Sequence, residues 1–246
     1  MISKENFIYG LHPVTEAVKS GQEIDRVLFR KGLQGAFSAE LLQLLKAHDI
    51  PFQFVPPEKL DRITRKNHQG VIAFVSGISY QFLDQLVPMI FETGKVPLLL
   101  ILDGITDVRN FGAICRSAEC AGVDGIVIPA QGSAQINEEA VRTSAGALMT
   151  IPVCREKSLT TAANFLKQSG FKIIGATEHA ESFYYQADFT QPLAIIMGSE
   201  EKGISMQLRR LCDAEVKIPM LGKISSLNVS VAAGILMFEA VKQRMV

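Results

Sequence analysis

Apolar positions along the first third of the chain switch between two periods. HPVTEAVKSG has helical spacing and ends at Gly21, and DRVLFRKG alternates as a strand does. SAELLQLLKAHD is an amphipathic helix whose capping box is imperfect, because Leu41 and not an acid stands three residues after Ser38. PFQFVP predicts a second strand, PEKLDRIT a short helix opened by Pro57, and GVIAFVS a third strand. SYQFLDQLVPMIFETGK then predicts a helix interrupted by Pro88 and stopped by Gly94. Beyond it the period changes. LLLILD, GIVIP, MTIPVC, KIIGATE, LAIIMG and EVKIPM are apolar runs of the kind found in parallel strands buried on both faces. Helical stretches alternate with them: 110–121, 138–148, 159–168, 205–212 and a C-terminal helix. This alternation predicts an α/β chain. A small α/β domain (1–78) is followed by a joining helix (79–95) and a doubly wound parallel-sheet domain (96–246).

The C-terminal helix poses a question. From Leu227 to Met245 apolar residues fall on nearly every face, which predicts a buried helix. Yet it opens with Ser225, Ser226, Asn228 and Ser230. One such residue suffices to cap the free backbone N–H groups of a helix start.

Composition narrows the function without naming it. Of 246 residues 48% are apolar, enough for an extensive core, and 25 basic residues balance 25 acidic ones. Bulk charge therefore advertises no polyanion partner, and any nucleic-acid role must rest on local patches. Cys115, Cys120, Cys154 and Cys212 form no CxxC pair and lack zinc-finger spacing to His12, His48, His68 or His179, so no metal site is expected. MISKENFIYG has no signal-peptide core, and no apolar run is long enough to span a membrane. The expectation is a cytoplasmic protein with reduced thiols.

A doubly wound sheet binds its ligand at the carboxyl ends of its strands. The loop after the first strand of the second domain contains no GxGxxG, and no GxxxxGK[ST] occurs anywhere, which disfavours a nucleotide-dependent oxidoreductase. The unusual loops are MGSEEKG and PMLGKISSLN. Together with LDGITDVRNFGAICRSAECAG, they resemble in order and spacing the three motifs of the SpoU-type RNA ribose 2′-O-methyltransferases of the SPOUT superfamily. The resemblance runs from Leu98 to about Lys242. YGLHPVTEAV and NHQGVIAFV are similar to the RNA-binding N-terminal domain of the large-subunit rRNA guanosine branch. One departure is Glu201, which stands where the family usually has glycine.

The resemblance implies a deep trefoil knot at the C-terminus, S-adenosylmethionine as methyl donor, an RNA substrate and a homodimer. Polar residues at the start of the last helix would then line the site, while its apolar remainder packs in the core and across the dimer. Arg116 would position an RNA phosphate bidentately and stabilise the developing 2′-alkoxide, because a guanidinium keeps its proton and is a poor general base. Its local alternative is a structural ion pair. Asn110, Glu200, Ser226 and Asn228 would complete the catalytic set. The local alternatives are helix caps for Asn110, Ser226 and Asn228, and a solvated loop charge for Glu200.

Gly198, Ile218 and Leu227, with Thr177 and Met220, match the cofactor positions; by themselves Ile218 and Leu227 read as core. Arg62, Arg65, Lys66 and His68 would hold RNA phosphates from one loop of the first domain. The resulting expectation is methylation of a guanosine in large-subunit rRNA. A tRNA ribose methyltransferase and a non-catalytic ribosome-assembly factor are the alternatives.

Overall fold

A computed structural model describes residues 7–245. The chain divides into two compact units, Met1–Ser79 with Gln135–Glu138, and Tyr80–Ala134 with Glu139–Val246. The first contains β1 (Phe7–Tyr9), α1 (Leu11–Lys19), β2 (Ile24–Arg30), α2 (Ala36–Ala47), β3 (Phe52–Val55), α3 (Pro57–Ile63) and β4 (Val71–Val75). Its sheet runs β1-β4-β2-β3, with β2 and β3 parallel and the other pairs antiparallel. Pro57 opens α3 because its missing N–H is one the helix start leaves unpaired anyway. At α2 the capping-box expectation is corrected. The helix begins at Ala36 after Gly35, and Ser38 lies inside it, buried, donating to the Gly35 carbonyl.

The second unit contains α4 (Leu83–Glu92), β5 (Leu98–Asp103), α5 (Val108–Cys120), β6 (Gly125–Pro129), α6 (Glu138–Thr143), β7 (Val153–Glu156), α7 (Leu159–Gln168), β8 (Lys172–Ala176), β9 (Ser182–Phe183), β10 (Leu193–Gly198), α8 (Met206–Arg209), β11 (Ala214–Lys217) and α9 (Val229–Arg244). Its strands form one sheet in the order β7-β6-β5-β10-β8-β11-β9, parallel throughout. The α/β class and the small N-terminal domain followed by a parallel-sheet domain agree with the sequence expectation. The core explains the continuous apolar runs: Leu99, Ile101, Val127, Ile173, Ala194 and Ile196 are fully buried in one cluster.

Three elements differ from expectation. The stretch 79–95, read as a joining segment, is built into the second unit. Leu83, Leu86, Val87 and Ile90 of α4 are buried in its core, Gln81 N–H donates to the Val153 carbonyl, and Gln81 bridges Cys154 on β7. The predicted helix 138–148 stops at Thr143, because Ala145 (φ 52°) and Gly146 (φ 89°) turn left-handed. α9 is not buried all round: Val231, Phe238 and Met245, two helical turns apart, are 51%, 49% and 81% exposed.

Candidate functional site: the carboxyl edge of the parallel sheet

β5 and β10 are neighbours in the middle of the sheet, and the chain departs from them to opposite sides. The loops that follow such a pair part and leave a crevice, the usual ligand position in this architecture. Here they are pinned together. The Asp103 carboxylate at the end of β5 accepts the Ser205 N–H at 2.7 Å, and a Cβ on Gly104 would lie 3.6 Å from Ser199 Cβ.

The β5 loop leads into α5, whose N-cap is Asp107 accepting the Asn110 N–H at 2.8 Å. The local alternative of a cap for Asn110 is therefore removed: Asn110 is the helix's third residue, and its side chain is free to act elsewhere. It donates through Nδ2 to Glu200 Oε1 at 3.1 Å. Asn228 Nδ2 donates to Asn110 Oδ1 at 2.9 Å and to the same Glu200 oxygen at 3.0 Å. The Val229 N–H also donates to Glu200 Oε1, at 3.2 Å. Meanwhile Asn228 Oδ1 caps α9 by accepting the Ser230 N–H at 3.0 Å. Asn228 thus caps the helix and joins the amide–carboxylate network at once. Glu200 is no solitary loop charge; a carboxylate at the positive end of α9 is favoured by the helix dipole.

Glu200 is presented by a tight turn in which the Gly203 N–H donates to the Ser199 carbonyl at 2.8 Å. The left-handed residue of this turn is Gly203 (φ 65°), whereas Glu201 is not among the positive-φ residues. Glu201 therefore causes no backbone strain where the family usually has glycine. Gly198, ending β10, tolerates no side chain, since a Cβ would sit 2.1 Å from the Gly203 carbonyl carbon.

Ser226 and Arg116 stand outside the network. Ser226 is exposed on the loop before α9 and makes no hydrogen bond among the described residues. Arg116 is exposed on α5 and has no ion-pair or hydrogen-bond partner among the described residues, which removes the structural ion pair as its explanation.

Thr177 and Ile218 directly follow β8 and β11, and Gly198 ends β10, three adjacent strands of the sheet. Met220 and Leu227 lie on the segment 218–227, which contributes no hydrogen bond to the protein among the described residues. Its backbone N–H and C=O groups are consequently open to a ligand, next to apolar Ile218 and Leu227. That donor set suits an adenine ring, which main-chain groups read along its edge and apolar side chains cover on its faces.

Two of the thiols, Cys115 and Cys154, are buried. Burial pushes the Cys115 thiol upward; burial, with Glu156 and Asp84 nearby, pushes Cys154 up to about 12. No group of acids, histidines and cysteines suited to a metal occurs among the described residues.

In the first unit Arg62, Arg65 and Lys66 are exposed around the turn after α3, with the Lys66 amine 5.8 Å above the Tyr9 ring. His68 differs. Its Nδ1 accepts the Gly70 N–H at 3.0 Å and its Nε2 lies 3.0 Å from Asp61 Oδ1. With Nδ1 accepting, the proton sits on Nε2, and both nitrogens brace the loop. Sequence reasoning also missed Gln69, whose Oε1 accepts the Leu11 N–H at 3.1 Å from a left-handed backbone (φ 51°). The only sequence signal for either was the compact string NHQG beside the cations.

Comparison with known proteins gives the family. Residues 97–238 match the SpoU rRNA methylase family, and residues 7–81 match the RNA 2′-O ribose methyltransferase substrate-binding family. A Staphylococcus saprophyticus protein bearing a TrmH-family tRNA/rRNA methyltransferase name is 36% identical over 98% of this chain and 97% of its own. The crystal structure of the SpoU methyltransferase AviRb from Streptomyces viridochromogenes with AdoMet superposes with a TM-score of 0.62 at 28% identity, covering 97% of this chain and 90% of that one. An AdoMet-bound rRNA methyltransferase from Sinorhizobium meliloti gives 0.61 at 25% identity, covering 96% and 86%. The chain belongs to the SpoU methylase family of RNA methyltransferases.

Proposed function

We propose that the protein transfers a methyl group from S-adenosylmethionine to a ribose 2′-hydroxyl of RNA, with a guanosine of large-subunit rRNA as target. The observation that carries this reading is the Asn110–Glu200–Asn228 network beside the unbonded segment 218–227, at the strand carboxyl ends where sheets of this architecture receive ligands. The match of the first unit to a ribose methyltransferase substrate-binding family, and the AdoMet in two structural neighbours, support it.

When bound, S-adenosylmethionine supplies an electrophilic methyl carbon on a sulfonium. Thr177, Gly198, Ile218, Met220 and Leu227 would hold its adenosine part. Glu200 locks Asn110 and Asn228, and Asn228 with Ser226 orients the ribose so that its oxygen faces the methyl group. Arg116 would grip the adjacent phosphate and stabilise negative charge on the 2′-oxygen as its proton passes to solvent water, which reaches this exposed site. The acceleration comes mainly from alignment and charge stabilisation. Arg62, Arg65 and Lys66 hold the RNA stem, on a loop that His68 stiffens.

The same reading includes a homodimer formed through the exposed apolar stripe of α9, a cytoplasmic location, and a trefoil knot. Among the described residues no helix is long and apolar enough to cross a membrane.

Mapping 2′-O-methylation in rRNA and tRNA from a strain lacking the gene tests the assignment. Loss of one guanosine mark in large-subunit rRNA is the expected result. Loss of a tRNA mark moves the substrate, and an unchanged map in both removes the catalytic assignment.

A further inference from the structure

Arg109 and Arg116 are two helical turns apart and project from one side of α5. α6 approaches that helix at Gly112, where a Cβ would sit 2.7 Å from Thr143 Cβ and 2.9 Å from the Ala140 carbonyl oxygen. Only glycine permits so close a crossing. On α6, Glu139 and Arg142 are one turn apart and share a side. Glu139 reaches across to Arg109, Oε1 to Nε 3.1 Å. This ion pair fixes which sides of the two helices lie together: Arg109 and Arg116 from α5, Glu139 and Arg142 from α6.

That side therefore carries Arg109, Arg116 and Arg142, with Glu139 paired to Arg109 and exposed Glu119 one helical turn beyond Arg116. Arg142, like Arg116, is exposed and has no hydrogen-bond or ion-pair partner among the described residues. A solitary exposed arginine is ordinarily just solvated. Two unpartnered ones beside a third already paired, next to Asn110 of the amide network, call for an external anion with several charges. The guanidinium fork fits phosphate oxygens two at a time, which a row of RNA phosphates offers and a single carboxylate does not.

We propose that Arg142, with Arg109 and Arg116, forms a phosphate track on the α5–α6 face that grips the RNA backbone flanking the methylated nucleotide, an inference that rests on the ribose-methylation reading. Glu139 moderates the track by neutralising Arg109, so that the RNA is held firmly enough to align and loosely enough to leave.

Full-length Arg142→Ala, Arg142→Lys and Glu139→Gln are compared with the natural protein in binding to an unmodified large-subunit rRNA transcript and to an unmodified tRNA transcript, titrated across salt. Arg142→Ala should weaken RNA binding on the order of fivefold and lower the slope of log affinity against log salt by about 0.7, one contact's counterion release from a single strand. Its affinity for S-adenosylmethionine should be unchanged. Arg142→Lys should keep the slope while losing part of the affinity. Glu139→Gln should act in the opposite direction, tightening RNA binding and steepening the slope.

A folded Arg142→Ala variant with the natural affinity and slope overturns the proposal. Should alanine prevent folding, Glu139→Gln decides alone, and an unchanged slope overturns it. Failure of the natural protein to methylate ribose in either transcript would instead sink the functional reading, and is scored independently of the variants.

Discussion

Asn110 and Arg116 share a helix but not a face, since six residues carry the chain about a third of a turn away from alignment. Asn110 turns towards Glu200 and Asn228; Arg116 turns to solvent without a partner. Each choice is visible only in three dimensions. Asn228 was legible as a helix cap, because capping is a local bond to Ser230. Its second role was not, because Asn110 and Glu200 stand 118 and 28 residues away in sequence. The motif register pointed to Asn110, Glu200 and Asn228, which the structure brings together, but not to Glu200 accepting three bonds on one oxygen. His68, grouped in sequence with the loop cations expected to hold RNA, has both ring nitrogens engaged within the loop. Because Arg116 supports nothing in the fold, its replacement isolates chemistry. Arg116→Ala should change folding stability by under about 0.5 kcal/mol. It should bind S-adenosylmethionine normally and lose roughly a hundredfold in single-turnover methylation at saturating RNA. Arg116→Lys should restore little, and near-natural turnover in the alanine variant would take Arg116 out of the mechanism.

Elements were legible where one pattern dominated. The helix Leu159–Gln168 was read with its bounds, helped by Ser158, whose side chain accepts the Thr161 N–H. The helix 138–148 was overextended because Ala145, of the residue type with the highest helix propensity, takes a left-handed conformation there. β1 and β9, three and two residues long, carry too little pattern to detect. β11 shows what an element owes to its neighbours. Glu215 accepts from Arg209 Nε at 2.7 Å and Nη2 at 2.6 Å, and these bonds hold its carboxyl below the ordinary 4.5. A carboxyl depressed in the folded state contributes stability that is complete above its unfolded value and lost as pH falls through the folded one. Thermal unfolding between pH 7 and pH 3 should therefore show Glu215→Gln less stable than the natural protein near neutrality, with the difference closing below about pH 4. A gap of constant size across that range would exclude the ion pair as a source of acid sensitivity.

At the scale of the whole molecule, the apolar character of α9 was legible, but its division between two destinations was not. Leu236, Met237 and Ala240 are buried, while Val231 and Phe238 lie on the face left open. In the proposed dimer a second copy would cover that face, which would account for both sides of a helix whose composition looked uniformly interior. Phe238→Glu should shift the protein from dimer to monomer in light scattering; an unchanged mass would place any dimer contact elsewhere. The placement of α4 has a practical corollary for dissecting the protein. Cutting at Lys95, where the chain looked divisible, would strip Leu83, Leu86, Val87 and Ile90 from the interior and leave the rim of β7 without Gln81. Such a truncation should accumulate in inclusion bodies, whereas one beginning at Tyr80 should express in soluble form and survive trypsin. The portable methyltransferase module, for gene fusion or for crystallisation, thus includes the helix that looked like its tether.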